Sequence, residues 1–180
     1  MKIKLVDTHA HLYVKEFELD IGIILERAQA NGVEKIYLPA IDSTEHSNLL
    51  HLAERFPEIC LPMMGLHPCS VKENYKGELL IVEKLLGEHR FYAVGEIGLD
   101  YYWDKTYIAE QKTAFSRQIE MAVSAKLPIA IHSRQSTSDC IEIVKQYQDG
   151  NLKGVFHCFS GTEAEARQIV DLGFYLGIGG

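Results

Sequence analysis

The sequence lacks an excess of positive charge and a long apolar run, and each absence excludes a class of protein. Lys and Arg number 18 against 25 Asp and Glu, a formal net charge of −7, which excludes a broad basic face that grips nucleic acid. No apolar run approaches the ~18 residues of a membrane-spanning helix. The first residues turn polar too early for a signal peptide. We therefore expect no membrane partner.

Paired cysteines are also absent. The four cysteines are scattered and form no Cys-x-x-Cys motif: Cys60, Cys69, Cys140 and Cys158. This usage is typical of reduced thiols in a cytosolic protein, so we expect a cytoplasmic location. Nothing in the sequence indicates an obligate protein partner.

What is present is the composition of an ordinary globular domain. The 180 residues are 47% hydrophobic and 24% charged, which excludes a disordered chain, a coiled coil and a collagen-like fibre. No linker or low-complexity segment divides the chain. We therefore expect one domain over residues 1–180.

Short apolar runs alternate with helical patterns along the chain. Continuous runs of this length are typical of strands buried on both faces of a parallel sheet, and they start at Ile3, Lys35, Leu61, Phe91, Leu127, Lys153 and Phe174. Alternating βα units indicate either a doubly wound sheet or a TIM (β/α)8 barrel. Eight units at this spacing need roughly 230 residues, near the size of a barrel. The sequence therefore predicts an α/β protein with a TIM barrel, here lacking the last helix and the eighth strand.

Polar residues follow the predicted strands and carry the chemical signal. Six consecutive strands lead into Asp, His or Glu, and a barrel brings such ends to one rim. A single buried histidine is usually a satisfied core residue. His9 and His11, however, project to the same side of a strand because their spacing is two, and paired imidazoles chelate metals.

Three further strand-end residues extend this pair into a metal site. Glu96, His132 and His157 follow the fourth, fifth and sixth predicted strands. The five residues together suit two divalent ions, with His9 and His11 on one, His132 and His157 on the other, and Glu96 bridging both. About three protein ligands per ion leave positions for water and substrate. Imidazole and carboxylate ligands suit Zn, Mn, Fe or, less well, Mg.

Five motifs, in order along the chain, resemble those of the TatD family. They are Asp7-Thr8-His9-Ala10-His11, Gly65-Leu66-His67-Pro68, Gly95-Glu96-Ile97-Gly98-Leu99-Asp100-Tyr101-Tyr102, Ile131-His132-Ser133-Arg134 and His157-Cys158-Phe159-Ser160-Gly161. The resemblance implies a metal-dependent deoxyribonuclease with an amidohydrolase-related TIM barrel. It implies the same five metal ligands and a DNA phosphodiester substrate, single-stranded or with an exposed end. It also implies one more aspartate, on an eighth strand beyond Gly180, as the general base.

Substrate contacts are expected from residues around the predicted site. His67 either contacts a phosphate or caps the rim. Arg134 either forms bidentate hydrogen bonds with a phosphate or forms a surface ion pair. Tyr101, with Tyr102 and Trp103, either stacks on bases of a single strand or packs against a neighbouring loop.

The leading hypothesis is a two-metal hydrolase of DNA, acting as an exonuclease with a metal-activated water. One alternative is an amidohydrolase that cleaves a small cyclic amide or ester. Another is a non-catalytic metal-binding fragment.

Overall fold

Seven strands alternate with six helices in the computed structural model, which describes residues 3–179. The strands are β1 (Leu5–Asp7), β2 (Val33–Leu38), β3 (Cys60–Pro62), β4 (Val94–Asp100), β5 (Ile129–Arg134), β6 (Gly154–Phe156) and β7 (Tyr175–Leu176). The helices are α1 (Ile21–Ala30), α2 (His46–Arg55), α3 (Tyr75–Glu88), α4 (Ile108–Ala125), α5 (Thr137–Tyr147) and α6 (Glu163–Asp171). The predicted βα alternation is confirmed, and the predicted ending at Gly180 lies outside the described residues.

The strands are parallel and follow one another in chain order. Strands β1, β2 and β3 form one sheet and β4 to β7 form a second. A single parallel bridge between Met64 and Val94 joins the two sheets. Each strand therefore lies next to its neighbours in sequence, which is the order of a (β/α) barrel.

The sheet curves so that the ends of distant strands meet. His9 follows β1 and His157 follows β6, yet their rings stack with centroids 3.3 Å apart. On the other side, the Ala40 amide beyond β2 donates to the carbonyl of Gly95 in β4. The loops after the strands therefore form one rim, as the barrel prediction requires.

The helices pack on the outside of the sheet and bury an apolar layer. Phe115 and Ile119 of α4 lie against Ile97 and Leu99 of β4, and all four are fully buried. Such a layer is the main source of stability in an α/β domain. Within residues 3–179, no helix is long and apolar enough to cross a membrane.

Two predicted strands extend further than the apolar runs indicate. β4 continues to Asp100 and β5 to Arg134, so Glu96 and His132 lie inside their strands rather than after them. Gly98 makes this possible. Its φ is +137°, and a Cβ at this position would lie 2.1 Å from the carbonyl oxygen of His132. Only glycine allows the two strands to pair so closely here.

Candidate metal centre

Glu96 lies at the centre of a cluster of histidines on the rim. Its side chain is 3% exposed, whereas His67 and His132 are 16% and 19% exposed and His11 is 30% exposed. The carboxylate therefore lies at the bottom of a recess whose walls are imidazole rings. A buried carboxylate needs partners, because burial without them disfavours the charged form.

The two carboxylate oxygens of Glu96 face different histidines. Oε2 lies 3.0 Å from Nε2 of His9, 3.5 Å from Nε2 of His11 and 3.7 Å from Nε2 of His67. Oε1 lies 3.1 Å from Nδ1 of His132. The described residues thus form two potential ligand groups that share Glu96: one with His9 and His11, the other with His67 and His132.

His157 is placed differently from the sequence expectation. It was expected beside His132, but its ring stacks on His9 with an interplanar angle of 9°. His67, expected to contact substrate, lies in the second group instead. The structure thus brings His9, His11 and His132 together around the carboxylate of Glu96, with His157 at the edge of the cluster.

The hydrogen bonds of His11 determine which of its nitrogens faces the centre. The Tyr13 hydroxyl donates to the carbonyl oxygen of Pro39 at 2.6 Å. Because a hydroxyl has one hydrogen, its 3.0 Å contact with Nδ1 of His11 must be a donation from Nδ1–H. The other ring nitrogen, Nε2, then faces Glu96.

His132 is held in the opposite way. Its Nε2 lies 2.8 Å from Oδ2 of Asp100, a carboxylate that is fully buried. Hydrogen bonds from the backbone amides of Tyr102 and Trp103 and from His132 outweigh the opposing effect of burial and lower the pKa of Asp100. An ionised carboxylate only accepts, so Nε2 of His132 donates to Asp100. Nδ1 faces Oε1 of Glu96. Burial lowers the pKa of His132, but Glu96 and Asp100 outweigh this effect and raise it.

His67 has a third arrangement. Its Nδ1 accepts a hydrogen bond from the Cys69 amide at 3.1 Å, as the cap of the short helix Pro68–Ser70. The hydrogen of a neutral ring must then be on Nε2, which faces Glu96. Burial lowers the pKa of His67 to about 4, so the ring is neutral at neutral pH. His67 therefore turns Nε2–H to the recess, whereas Nδ1–H of His11 and Nε2–H of His132 are used by partners outside it.

The charge of the cluster fits divalent cations. Burial raises the pKa of Glu96, but hydrogen bonds from His11, His132 and His9 outweigh this effect and hold the pKa well below its usual range. Burial and His9 lower the pKa of His157 to about 4. The centre thus combines an ionised carboxylate with imidazole rings, the donor set that zinc, manganese and iron accept.

The other expected substrate residues lie beside the recess. Arg134 is exposed, and its guanidinium carbon lies 4.0 Å from the ring centroid of Tyr102. The Tyr101 hydroxyl instead donates to Asp139 at 2.7 Å, at the start of α5. Tyr101 is half-buried and Tyr102 and Trp103 are exposed, so the three aromatic residues do not form one surface.

Sequence reasoning missed two buried glutamines of α4 that hold the rim. Gln118 accepts from the amide of Leu66 at 2.6 Å and donates to its carbonyl at 3.2 Å, next to His67. Gln111 accepts from the amide of Asp100 at 2.9 Å. Both lie on the buried, otherwise apolar face of the amphipathic helix α4. A polar residue on such a face is the one sequence signal that could have indicated their role.

Comparison with known proteins identifies relatives along almost the whole chain. Residues 6–180 match the family model described as TatD related DNase. The chain is 34% identical to the metal-dependent hydrolase YabD of Bacillus subtilis, covering 98% of this chain and 69% of that protein. It is 29% identical to the 3′-5′ ssDNA/RNA exonuclease TatD of Edwardsiella piscicida, covering 98% and 68%.

A solved structure has the same fold. The TatD homologue YjjV of Escherichia coli superimposes on this chain with a TM-score of 0.92 at 31% identity. The match covers all of this chain and 70% of YjjV.

Proposed function

The chain belongs to the TatD-related DNase family of metal-dependent hydrolases, and from that premise we propose that it hydrolyses DNA phosphodiester bonds with two divalent ions. The observation that carries the proposal is the position of Glu96. Its two oxygens face separate histidines, which is what a carboxylate shared between two ions requires. The substrate is a single strand or an exposed end, and the enzyme removes nucleotides from that end.

The contacts of Glu96 support a division of the ligand atoms between two ions. Nε2 of His9 and of His11, with Oε2 of Glu96, would hold the first ion. Nδ1 of His132 and Oε1 of Glu96 would hold the second. His157, whose ring stacks on His9, would approach the ions from the edge of the cluster. Divalent ions in such a pair polarise phosphate oxygens and lower the pKa of a bound water.

His67 serves the substrate rather than a metal in this proposal. Its Nδ1 is already used by the Cys69 amide, so only Nε2–H points into the recess. An N–H donor there binds a phosphate oxygen and repels no cation, because the ring is neutral. The hydrogen bonds around the recess therefore distinguish one phosphate donor from the proposed metal-binding imidazoles.

Arg134 supplies a positive charge beside the recess. It follows His132 by two residues on β5, so both side chains leave the strand on the same side. Its guanidinium stacks on Tyr102 and remains exposed. A stacked guanidinium keeps its N–H groups free to bind a phosphate. A chain of net charge −7 thus holds DNA through the metals and this one cation.

We place the protein in the cytoplasm on the state of its cysteines. All four are free, and Cys60 and Cys140 are buried. Burial raises the pKa of Cys60 to about 11 and that of Cys140 to about 12, so both remain protonated thiols. Unpaired thiols of this kind are typical of a reducing compartment.

The test is a nuclease assay with defined ends and defined metals. Purified protein is stripped with a chelator, reloaded with Zn²⁺, Mn²⁺, Fe²⁺ or Mg²⁺, and given a single-stranded oligodeoxynucleotide labelled at either end. We expect a ladder of products shortened one nucleotide at a time, and none with chelator. As a control, the Glu54→Gln variant, which removes a negative charge on the exposed side of α2, should behave as wild type.

Two results would overturn the proposal. One is metal-loaded protein that leaves every oligonucleotide intact but hydrolyses a cyclic amide or ester, the amidohydrolase alternative. The other is a protein that binds metal and hydrolyses neither class, which would identify a metal-binding module without catalysis.

A further inference from the structure

An exposed aromatic pair lies beside the metal centre and has no part in the proposed chemistry. The side chain of Trp103 is 67% exposed and that of Tyr102 is 47% exposed. Their rings meet edge to face, with centroids 4.8 Å apart. Both residues lie in the loop beyond β4, whose last residue, Asp100, still pairs with Arg134 of β5. Large aromatic surface in water is costly unless something covers it.

The backbone that carries this pair is firmly anchored. Both amides, of Tyr102 and Trp103, donate to Oδ1 of Asp100 at 2.9 Å. On the far side, Asp104 pairs with Lys72 at 2.6 Å and accepts from the Thr106 amide. The aromatic rings are therefore presented on a rigid support, as a binding surface requires.

Asp100 ties this surface directly to the metal centre. While its Oδ1 holds the two aromatic residues, its Oδ2 lies 2.8 Å from Nε2 of His132. One carboxylate thus sets the position of the aromatic pair relative to a metal-binding imidazole.

Arg134 completes the surface. Its guanidinium carbon lies 4.0 Å from the centroid of Tyr102 and 5.2 Å from that of Trp103. The cation thus covers part of Tyr102 and leaves most of the indole open. An aromatic face next to a cation matches one nucleotide, with the base on the ring and the phosphate on the guanidinium.

We propose that Trp103, supported by Tyr102 and Arg134, is a stacking site for a nucleobase next to the phosphate held at the metal centre. The site accepts any base, because every base has a π-face and no hydrogen-bonding group of a neighbouring side chain is needed for stacking. It selects single strands, since a base within a duplex is already stacked. This inference rests on the proposed nuclease function.

The chain offers its own probe, because Trp103 is its single tryptophan. Mn²⁺-loaded protein is titrated with a five-nucleotide thymidine oligomer whose phosphorothioate linkages resist cleavage. A second oligomer has the same backbone with abasic sugars. We expect the base-bearing oligomer to quench tryptophan fluorescence and to bind about 5- to 150-fold more tightly than the abasic one.

Variants separate stacking from other causes, with affinity measured by the anisotropy of labelled oligomers. Trp103→Ala should reduce the affinity for the base-bearing oligomer to that for the abasic one. It should leave the affinity for the abasic oligomer and the metal content unchanged. Trp103→Phe should retain most of the affinity, because it keeps an aromatic face. Tyr175→Ala removes an aromatic residue that is 73% exposed on β7 and should change nothing.

The outcomes distinguish this inference from the proposed function. If wild-type protein cleaves ordinary oligomers while Trp103→Ala binds both probes as wild type does, the stacking site is wrong and the nuclease stands. If wild-type protein neither binds nor cleaves any oligomer, both are wrong. Self-association in sedimentation that Trp103→Ala abolishes would show that a second copy covers the pair, and would also overturn the inference.

Discussion

His11 and His132 are held in opposite tautomers towards the same carboxylate. Nδ1 of His11 donates to Tyr13, which leaves Nε2 to face Oε2 of Glu96. Nε2 of His132 donates to Asp100, which leaves Nδ1 to face Oε1. Each ring is oriented by a partner outside the cluster, so its second nitrogen faces Glu96 before any ion arrives.

Glu96→Gln is expected to abolish the two-metal site while the fold persists. The amide has nearly the same shape but removes the negative charge that faces four histidines. We expect metal content, measured by elemental analysis after dialysis against Mn²⁺ or Zn²⁺, to fall from about two ions per chain to one or none. Nuclease activity should disappear, with the circular dichroism spectrum unchanged. Two ions and full activity in this variant would refute the bridging role.

Tyr13→Phe is expected to weaken metal binding without touching a ligand. The variant removes the acceptor of the His11 Nδ1–H bond, so the ring loses its fixed tautomer and orientation. Loss of such a partner typically lowers metal affinity about 10- to 100-fold. Calorimetric titration measures the affinity, and the ¹⁵N spectrum of the His11 side chain reports the tautomer. Tyr147→Phe, whose hydroxyl lies near the exposed Glu120, is the matched control, and equal affinities for the two variants would contradict the assignment.

Gln118→Leu is expected to destabilise the rim near His67. The change leaves both the amide and the carbonyl of the buried Leu66 without a partner. Each unpaired group costs about 1–3 kcal/mol of the free energy of unfolding, which urea titration measures. KM for DNA should also rise, because His67 directly follows Leu66, whose backbone the variant no longer holds in place. Gln29→Leu on the exposed side of α1 is the control, and similar unfolding curves for the two variants would show that Gln118 is dispensable.

His46 is expected to make the metal-free protein less stable in mild acid. The ring is 4% exposed, and within residues 3–179 neither nitrogen has a hydrogen-bond partner. Burial outweighs the opposing effects of Gly65, Glu78 and Asp42 and lowers the pKa of His46. Below its ordinary pKa of about 6.5, the unfolded chain therefore binds more protons than the folded chain. Stability contributed by neutral His46 is present above that pH and is lost as the pH falls towards the lowered value.

The measurement is urea unfolding in EDTA between pH 5 and 7. His46→Phe should reduce the slope of unfolding free energy against pH, by at most about 1.4 kcal/mol per pH unit for one proton. Because His67 and His157 also have lowered pKa values, only the difference between variant and wild type isolates His46. His51→Phe, on the exposed side of the same helix, should leave the slope unchanged. Parallel slopes for His46→Phe and wild type would contradict the prediction.

Much of the architecture follows from patterns that act locally. The apolar runs predicted all seven strands to within three residues of their starts, although the fourth and fifth extend further than expected. Helix α6 likewise begins at a capping box that Thr162 and Glu165 form, a pattern readable in the sequence. Such features are readable because side-chain alternation and helix capping depend on neighbours in sequence. The α/β fold class and the family are confirmed, whereas the roles of the site residues remain predictions.

The sequence by itself determined which residue types reach the rim: histidines after β1, β3 and β6 and within β5, and a glutamate within β4. Only the tertiary structure decided what each of them does there. Tyr13, Asp100 and Cys69 assign the tautomers of His11, His132 and His67 through specific hydrogen bonds. The curvature of the sheet places His157 on His9. The physical reason is directional: a strand fixes which way a side chain leaves the backbone, but a hydrogen bond of about 3 Å depends on where a second element lies.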